Sequence, residues 1–189
     1  QSMICGLTSH EVANASLYDG ASALAEAALT TMRITKREQI VVSGAIHPHY
    51  RSVLKTYLTS VGEIVEIPHA HGVTNLKRLQ DTINENTAAV MMQTPNFYGC
   101  LEELSTVIKM AHAHKSLVVV SIDPLSLGLL KPPSEFGADI TIGEGQGLGN
   151  PLSYGGPYVG FFATRKDYVR QIPGRLVGRT IDTQGRRGF

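Results

Sequence analysis

The segment LVVVSID, residues 117–123, is the most apolar and β-branched run in the sequence. Such a run is typical of a strand that is buried on both faces at the centre of a parallel sheet. Similar runs recur on both sides of it, in QIVVSG (39–44), AAVMMQT (88–94) and ADITI (138–142), with helical spacing between them. The alternation predicts a doubly wound, three-layer α/β/α domain with a mostly parallel sheet.

The remaining segments complete this pattern. Asp19 is placed to cap a helix over DGASALAEAALTTMRI, and Pro48 opens another over PHYRSVLKTYLTSV. YVGFFAT follows ADITI through a link too short for a helical crossover, so we expect it to run antiparallel to the other strands. The other predicted elements are strands in EVANAS and EIVEIP, helices in LKRLQDTIN and LEELSTVIKMAHAHK, a short terminal helix in KDYVRQIP, and an irregular tail.

Composition and charge exclude several classes of protein. The chain has 189 residues, 42% hydrophobic residues and a net charge of +1, which is typical of a globular domain and excludes a general nucleic-acid-binding surface. No apolar run approaches the roughly 20 residues that span a membrane, and no signal peptide is evident. Cys5 and Cys100 form no CxxC pair, so we expect a reducing cytoplasm, without a disulfide framework or a zinc site. Residues 1–3 fit either a native segment or a cloning scar.

The glycine-rich loop GEGQGLGNPLSYGGP, residues 143–157, leaves the strand ADITI at the edge where open α/β sheets bind ligands. It is not GxGxxG, because Asn150 stands at the third glycine position, and it has no GK[ST], so it is not a P-loop. A structural turn is therefore favoured. Three HxH pairs also occur, at residues 47/49, 69/71 and 112/114. A metal site is not favoured, because the pair 69/71 has no carboxylate nearby and the pair 112/114 falls in a predicted helix, where such residues do not share a face.

Other polar residues follow strand ends. Asp123 fits either a turn cap before Pro124 or a counter-charge for a protonated ring nitrogen of pyridoxal phosphate (PLP). His47 lies just beyond QIVVSG, at the same edge. SLYDGAS, residues 16–22, precedes a helix whose N-terminus could hold a phosphate, but the Asp19 carboxylate would compete for the same amides, so capping is favoured.

Several stretches together resemble one family. They are ANASLYDGASALAEA, AIHPHYRSVLKTY, QTPNFYGCLEE, DPLSLGLLKPPSEFGADI, GEGQGLGNPLSYGGPYVGFFATRKDYVRQIPGRLVG and DTQGRRGF. The sequence is similar over its whole length to the glycine decarboxylase P-protein of the glycine cleavage system. It is most similar to subunit 1, the N-terminal half of the enzyme where it is divided between two chains. The resemblance implies a PLP-dependent transferase fold of type I and a bacterial or archaeal cytoplasmic protein.

The resemblance also implies a reaction and its participants. The enzyme decarboxylates glycine on PLP and transfers the aminomethyl group to the lipoyl group of H-protein. In the catalytic half, glycine dehydrogenase subunit 2, a lysine on the loop after the strand corresponding to ADITI binds PLP. Gln146 and its glycine neighbours stand at the matching place here, so we expect no catalytic residue in this chain and PLP on the partner subunit.

The implied site residues fall into two groups. His47 and Asp123 match the ring-stacking histidine and the ring-nitrogen carboxylate of the active half, and we interpret them as a vestigial cofactor site. Ser153, Tyr154, Gly155 and Gly156 match a segment that reaches the neighbouring subunit's cofactor site. Residues 1–189 are expected to form the large domain of the subunit, with the family's N-terminal segment and small C-terminal domain absent.

Two alternatives remain open at this stage. A self-sufficient PLP-dependent lyase or transaminase-like enzyme would need a lysine at the strand ends, and Lys131 and Lys166 are the nearest in sequence, although neither is on the expected loop. A nucleotide-binding module would need a glycine fingerprint that the loop after ADITI lacks.

Overall fold

A seven-stranded sheet forms the centre of the protein, in a computed structural model that describes residues 1–189. The sheet order is β1-β9-β8-β7-β6-β2-β3. Its strands are β1 (Val12–Ala13), β2 (Gln39–Ser43), β3 (Glu63–Ile67), β6 (Thr87–Gln93), β7 (Leu117–Ile122), β8 (Ile140–Glu144) and β9 (Gly160–Thr164). Two small hairpins pair β4 (His69–Ala70) with β5 (Val73–Thr74) and β10 (Thr180–Ile181) with β11 (Arg187–Gly188).

The strand directions agree with the sequence prediction. β7 is the middle strand and is buried along its whole length, as its apolar composition predicts. β3, β2, β6, β7 and β8 pair in parallel, whereas β9 pairs antiparallel to β8 in a register that places Ile142 opposite Phe162. The link between β8 and β9 contains no α-helix, which is why the chain returns in the opposite direction.

Helices cover both faces of the sheet. They are α1 (Ser2–Thr8), α2 (Gly20–Thr35), α3 (Pro48–Leu58), α4 (Leu76–Thr82) and α5 (Leu104–Ala113). One core cluster contains α2 and α3 side chains with Ile40, Val42 and Val119, and the other contains α4 and α5 side chains with Val41 and Val118. Because neighbouring strand residues point to opposite faces, this division confirms the three-layer prediction.

The beginnings of α2 and α3 form as predicted. Asp19 caps α2: its Oδ1 accepts the Ser22 N–H at 2.7 Å, and its Oδ2 accepts the Ser22 hydroxyl at 3.1 Å. Pro48 is the first residue of α3, where its missing N–H and fixed φ angle are tolerated. α2 is alanine-rich and mostly buried, so it packs closely against both α3 and the sheet.

The C-terminal part of the chain differs from the sequence prediction. KDYVRQIP forms only a 3₁₀ turn (Lys166–Tyr168), and the carbonyls of Gln171 and Pro173 accept hydrogen bonds from Arg33 and Asn14 on other elements. The tail has no helix or strand over residues 174–179, as predicted, but it ends in the β10–β11 hairpin, whose turn the Asp182 carboxylate closes by binding nearby amides. The segment around the second HxH pair forms the β4–β5 hairpin. The short helix α1 was not predicted.

A buried polar network lies at the other end of the sheet, where β7 and β8 begin. Asp139 is 1% exposed; its carboxylate lies 2.8 Å from His112 Nε2 and 2.9 Å from Arg165 Nη2, and accepts the Val118 N–H at 2.8 Å. His10 is also buried, with Nε2 2.9 Å from Thr141 Oγ1. Burial lowers the pKa of His10 to about 4, which keeps its ring neutral at pH 7. These contacts tie α5, β7, β8 and the end of β9 together.

Candidate functional site

The carboxyl ends of the parallel strands carry the loops that the sequence analysis singled out. His47 follows β2, Asp123 follows β7, and the glycine-rich loop follows β8. Ile122 pairs with Gly143 in the sheet, so Asp123 and the start of this loop lie at the same edge, as predicted. The start of α2 reaches the same place, because Gly20 donates its N–H to Glu144.

His47 is held by its role at the start of α3. Its Nδ1 accepts the His49 N–H at 3.2 Å, and its own N–H donates to Gln93 Oε1 at 2.8 Å. The ring lies 5.4 Å from the ring of Tyr50 and 5.0 Å, edge to face, from that of Phe97. Burial, and secondly the neighbouring His49, lower the pKa of His47. The geometry shows a capping and packing role for this histidine.

Asp123 makes the contacts of a turn cap. Its Oδ1 accepts the Leu125 N–H at 3.0 Å at the start of a 3₁₀ helix (Pro124–Gly128), and its backbone carbonyl accepts the Ser126 hydroxyl at 2.6 Å. The side chain remains exposed at the strand end. Its position agrees with the sequence analysis, and its predicted vestigial role remains a prediction.

Glu144 is the residue at this edge that the sequence analysis missed. Its Oε2 accepts the Gly20 N–H at 3.0 Å, and its Oε1 accepts the N–H groups of Gln146 at 2.9 Å and Val159 at 2.8 Å. One carboxylate thus satisfies amides at the start of α2 and at both ends of the loop. An acidic residue among the glycines of GEGQG was the only signal in the sequence.

Tyr50 shows that this crevice is acidic. Its hydroxyl lies so close to Gly20 that a Cβ atom there would be 2.1 Å from the oxygen, which explains the glycine at the first position of α2. Burial raises the pKa of Tyr50, and the charges of Glu144, Asp19 and Asp123 raise it further. Three carboxylates therefore act on one hydroxyl. The carboxylates of Asp19 and Glu144 also take two of the α2 amides that an incoming anion would use, those of Ser22 and Gly20.

The tip of the loop projects from the sheet. Gly145 donates its N–H to the Val159 carbonyl at 2.8 Å and closes the base. At the tip, Tyr154 is fully exposed, and Gly155 adopts φ +109°, a value that L side chains rarely adopt. The N–H groups of Gly155 and Gly156 both donate to the Leu152 carbonyl, at 2.8 and 2.7 Å. The tip is therefore a closed turn with exposed side chains.

The histidine pairs are used in other ways. His69 Nε2 lies 2.9 Å from the Tyr98 hydroxyl, and His112 contacts the buried Asp139. No group of three or more His, Cys, Asp or Glu side chains is arranged to hold a metal ion. None of the helices has the length and hydropathy needed to cross a membrane.

Comparison with known proteins identifies the family. The model of the glycine cleavage system P-protein family matches residues 1–189. The chain belongs to this family. It is 53% identical over 190 residues to the Carboxydothermus hydrogenoformans protein named "Probable glycine dehydrogenase (decarboxylating) subunit 1", and 52% identical to the protein of the same name from Anoxybacillus flavithermus. All of this chain is matched, and it spans 43% and 42% of these relatives.

Solved structures confirm the fold. A crystal structure of glycine decarboxylase (P-protein) of the glycine cleavage system, in inhibitor-bound form, superposes with a TM-score of 0.93 at 49% identity, covering all of this chain and 42% of the solved chain. Sphingosine-1-phosphate lyase from Burkholderia pseudomallei matches with a TM-score of 0.69 at 15% identity, covering 90% of this chain and 44% of the lyase. The architecture is the predicted PLP-dependent transferase fold of type I.

PLP does not fit the strand-end crevice of this P-protein family chain. A covalently held PLP needs a lysine amine and a site with hydrogen-bond donors for its phosphate. Gln146 stands on the loop after β8, and its buried Nε2 has no hydrogen-bond partner. Two of the α2 amides that could receive a phosphate, those of Gly20 and Ser22, are bound instead by the carboxylates of Glu144 and Asp19. The negative charges of Asp19 and Glu144 would also repel a phosphate.

The two lysines nearest in sequence to the loop after β8, Lys131 and Lys166, lie in other parts of the structure. Lys166 follows β9, the antiparallel strand, so it is at the opposite end of the sheet, where its N–H donates to Glu11 Oε2 at 3.0 Å. Lys131 is exposed and lies beside the start of α5, in a cavity of about 310 Å³ whose lining includes Thr94, Glu102 and Leu130. Neither residue is on the loop after β8, so the arrangement does not support a self-sufficient PLP enzyme.

Proposed function

We propose that this chain is part of the non-catalytic subunit of glycine decarboxylase. In the complete enzyme, glycine dehydrogenase subunit 2 would carry PLP and decarboxylate glycine, and the aminomethyl group would pass to the lipoyl group of H-protein. The observation that carries the proposal is the closed crevice: a P-protein family chain has a glutamate carboxylate at its helix N-terminus and a glutamine on the loop after β8. The relatives' names support a partner subunit.

The edge of the sheet at the carboxyl ends of the parallel strands has the character of an interaction surface. Many of the exposed large apolar side chains are on loops at this edge: Tyr18, Phe97, Tyr98, Leu101, Leu125, Leu129, Leu148, Leu152, Tyr154 and Tyr158. Grouped exposed apolar side chains, with tyrosine prominent, are typical of protein–protein interfaces. Subunit 2 is the occupant that the family assignment favours.

The loop tip is the part of this edge that would approach the partner's cofactor. The N–H groups of Gly155 and Gly156 are engaged within the turn, so direct hydrogen bonds would come from the hydroxyl groups of Ser153 and Tyr154. Gly156 has open space beside it, since an added Cβ would come no closer than 3.9 Å to another atom. The glycines would allow close approach of backbones, and the two hydroxyls would make polar contacts.

The remaining elements of the proposal follow from the family. Residues 1–189 correspond to the large domain of the subunit, consistent with their match to 43% of a full-length relative. The place of action would be the bacterial cytoplasm, as the bacterial relatives suggest. His47 and Asp123 would be remnants of a cofactor site, now used for capping.

Reconstitution tests this function. The protein that contains this chain, expressed with and without subunit 2, should release CO₂ from glycine in the presence of lipoylated H-protein only when both subunits are present. The partner supplies the reactive cofactor and this chain completes the site, so neither subunit alone should give substantial turnover. Full activity of the protein without subunit 2 would contradict the proposal.

A further inference from the structure

One side chain joins both ends of the glycine-rich loop to the start of α2. Glu144 accepts N–H groups from Gln146 and Val159, which are at the two ends of loop 145–159, and from Gly20 at the first position of α2. Backbone hydrogen bonds also hold the base of the loop, between Gly145 and Val159 and between Leu17 and Gly160. The Glu144 carboxylate is the side-chain group that links both ends of the loop to the start of α2.

The contact with α2 has a physical basis. α2 is 16 residues long, and the N-terminus of such a helix carries a partial positive charge and free N–H groups that bind anions. Hydrogen bonds to a carboxylate are shorter and stronger than those between neutral groups. Glu144 thus binds the helix N-terminus in the place where an external anion could bind. The same carboxylate also binds the loop.

We propose that Glu144 is a positioning residue for glycine decarboxylation. Its carboxylate binds the N-terminus of α2 in place of an external anion. It thereby holds loop 145–159 in the orientation that presents Ser153 and Tyr154 to subunit 2. The inference rests on the function proposed above. Glu144 acts through the loop and touches neither substrate nor cofactor.

The test combines amide exchange with kinetics on the assembled enzyme. In Glu144→Ala, deuterium exchange of the peptide covering residues 145–159 should rise by about tenfold or more, because charged hydrogen bonds to its amides are lost. The kcat/KM for glycine should fall in parallel. Glu144→Gln keeps the shape of the side chain but turns an NH₂ group toward backbone donors, so it should show the same changes.

Acetate provides a rescue that a general loss of folding would not show. In Glu144→Ala the N–H groups that the carboxylate bound are free, so added acetate can bind them. Acetate should then restore the protection of the loop from deuterium exchange and part of the lost activity, whereas it should have no effect on the wild type. Glu102→Ala is the matched control, because the Glu102 carboxylate also binds a backbone amide, that of Thr74, at this edge. It should loosen its own segment and leave the exchange of loop 145–159 unchanged.

The possible outcomes separate this proposal from the proposed function. Unchanged exchange in both Glu144 variants, or loosened loops with wild-type kinetics, would overturn the positioning role. A wild-type pair of subunits that releases no CO₂ from glycine would overturn the proposed function instead, and the exchange data would still decide whether Glu144 anchors the loop.

Discussion

Replacing Gly156 by tryptophan is expected to lower kcat/KM for glycine decarboxylation by the assembled enzyme by about 100-fold or more. Within this chain the start of a side chain is accommodated, because a Cβ at Gly156 meets no atom closer than 3.9 Å and the residue does not have a positive φ angle. At a close approach to subunit 2, however, an indole ring would separate the two backbones. The kinetics of the assembled enzyme and the melting temperature of the variant subunit measure the two effects separately.

Gly6→Trp on α1 is the matched control, because a Cβ at Gly6 likewise meets no atom within 4 Å and its φ angle is not positive. This variant should keep wild-type kinetics. If Gly156→Trp assembles normally and retains full activity, the loop tip does not approach the partner's site, and the prediction for Ser153 to Gly156 is wrong.

Replacing Asp139 by alanine should lower the free energy of unfolding by about 3 kcal/mol, the low end of the range for a broken buried ion pair. The Val118 N–H would lose its buried acceptor, and Arg165 and His112 would lose their shared partner. These two partners are 44% and 40% exposed and can be rehydrated, which limits the cost. Urea unfolding of the variant measures the change.

Asp167→Ala is the control for this stability effect, since Asp167 is exposed and its carboxylate makes no ion pair. It should change the free energy of unfolding by no more than about 0.5 kcal/mol. Equal unfolding midpoints for the two alanine variants would show that the Asp139 network contributes little to stability.

The regular elements could be predicted because their signals are local. The apolar run of β7, the Asp19 cap and Pro48 at the first position of α3 each depend on a few neighbouring residues. The reversed direction of β9 followed from the length of one link. Such features need no knowledge of distant contacts.

The two carboxylates that join distant segments, those of Glu144 and Asp139, could not be predicted from local signals. Glu144 binds residues that are 2, 15 and 124 positions away, and the Asp139 carboxylate binds side chains 27 and 26 positions away. No local spacing encodes such partners. The sequence therefore indicated that the loop after β8 lacks a lysine, but the structure was needed to show that a carboxylate fills the adjacent helix N-terminus.

In the proposed function, this chain completes a PLP enzyme without carrying its PLP. Borohydride reduction of the assembled enzyme, followed by peptide mass spectrometry, tests it most directly. We predict a stoichiometric pyridoxyl adduct on one lysine of subunit 2 and none on the lysines of this chain, apart from scattered labelling at high cofactor excess. A stoichiometric adduct on a single lysine of this chain, Lys131 or Lys166 included, would show that this chain itself carries the cofactor.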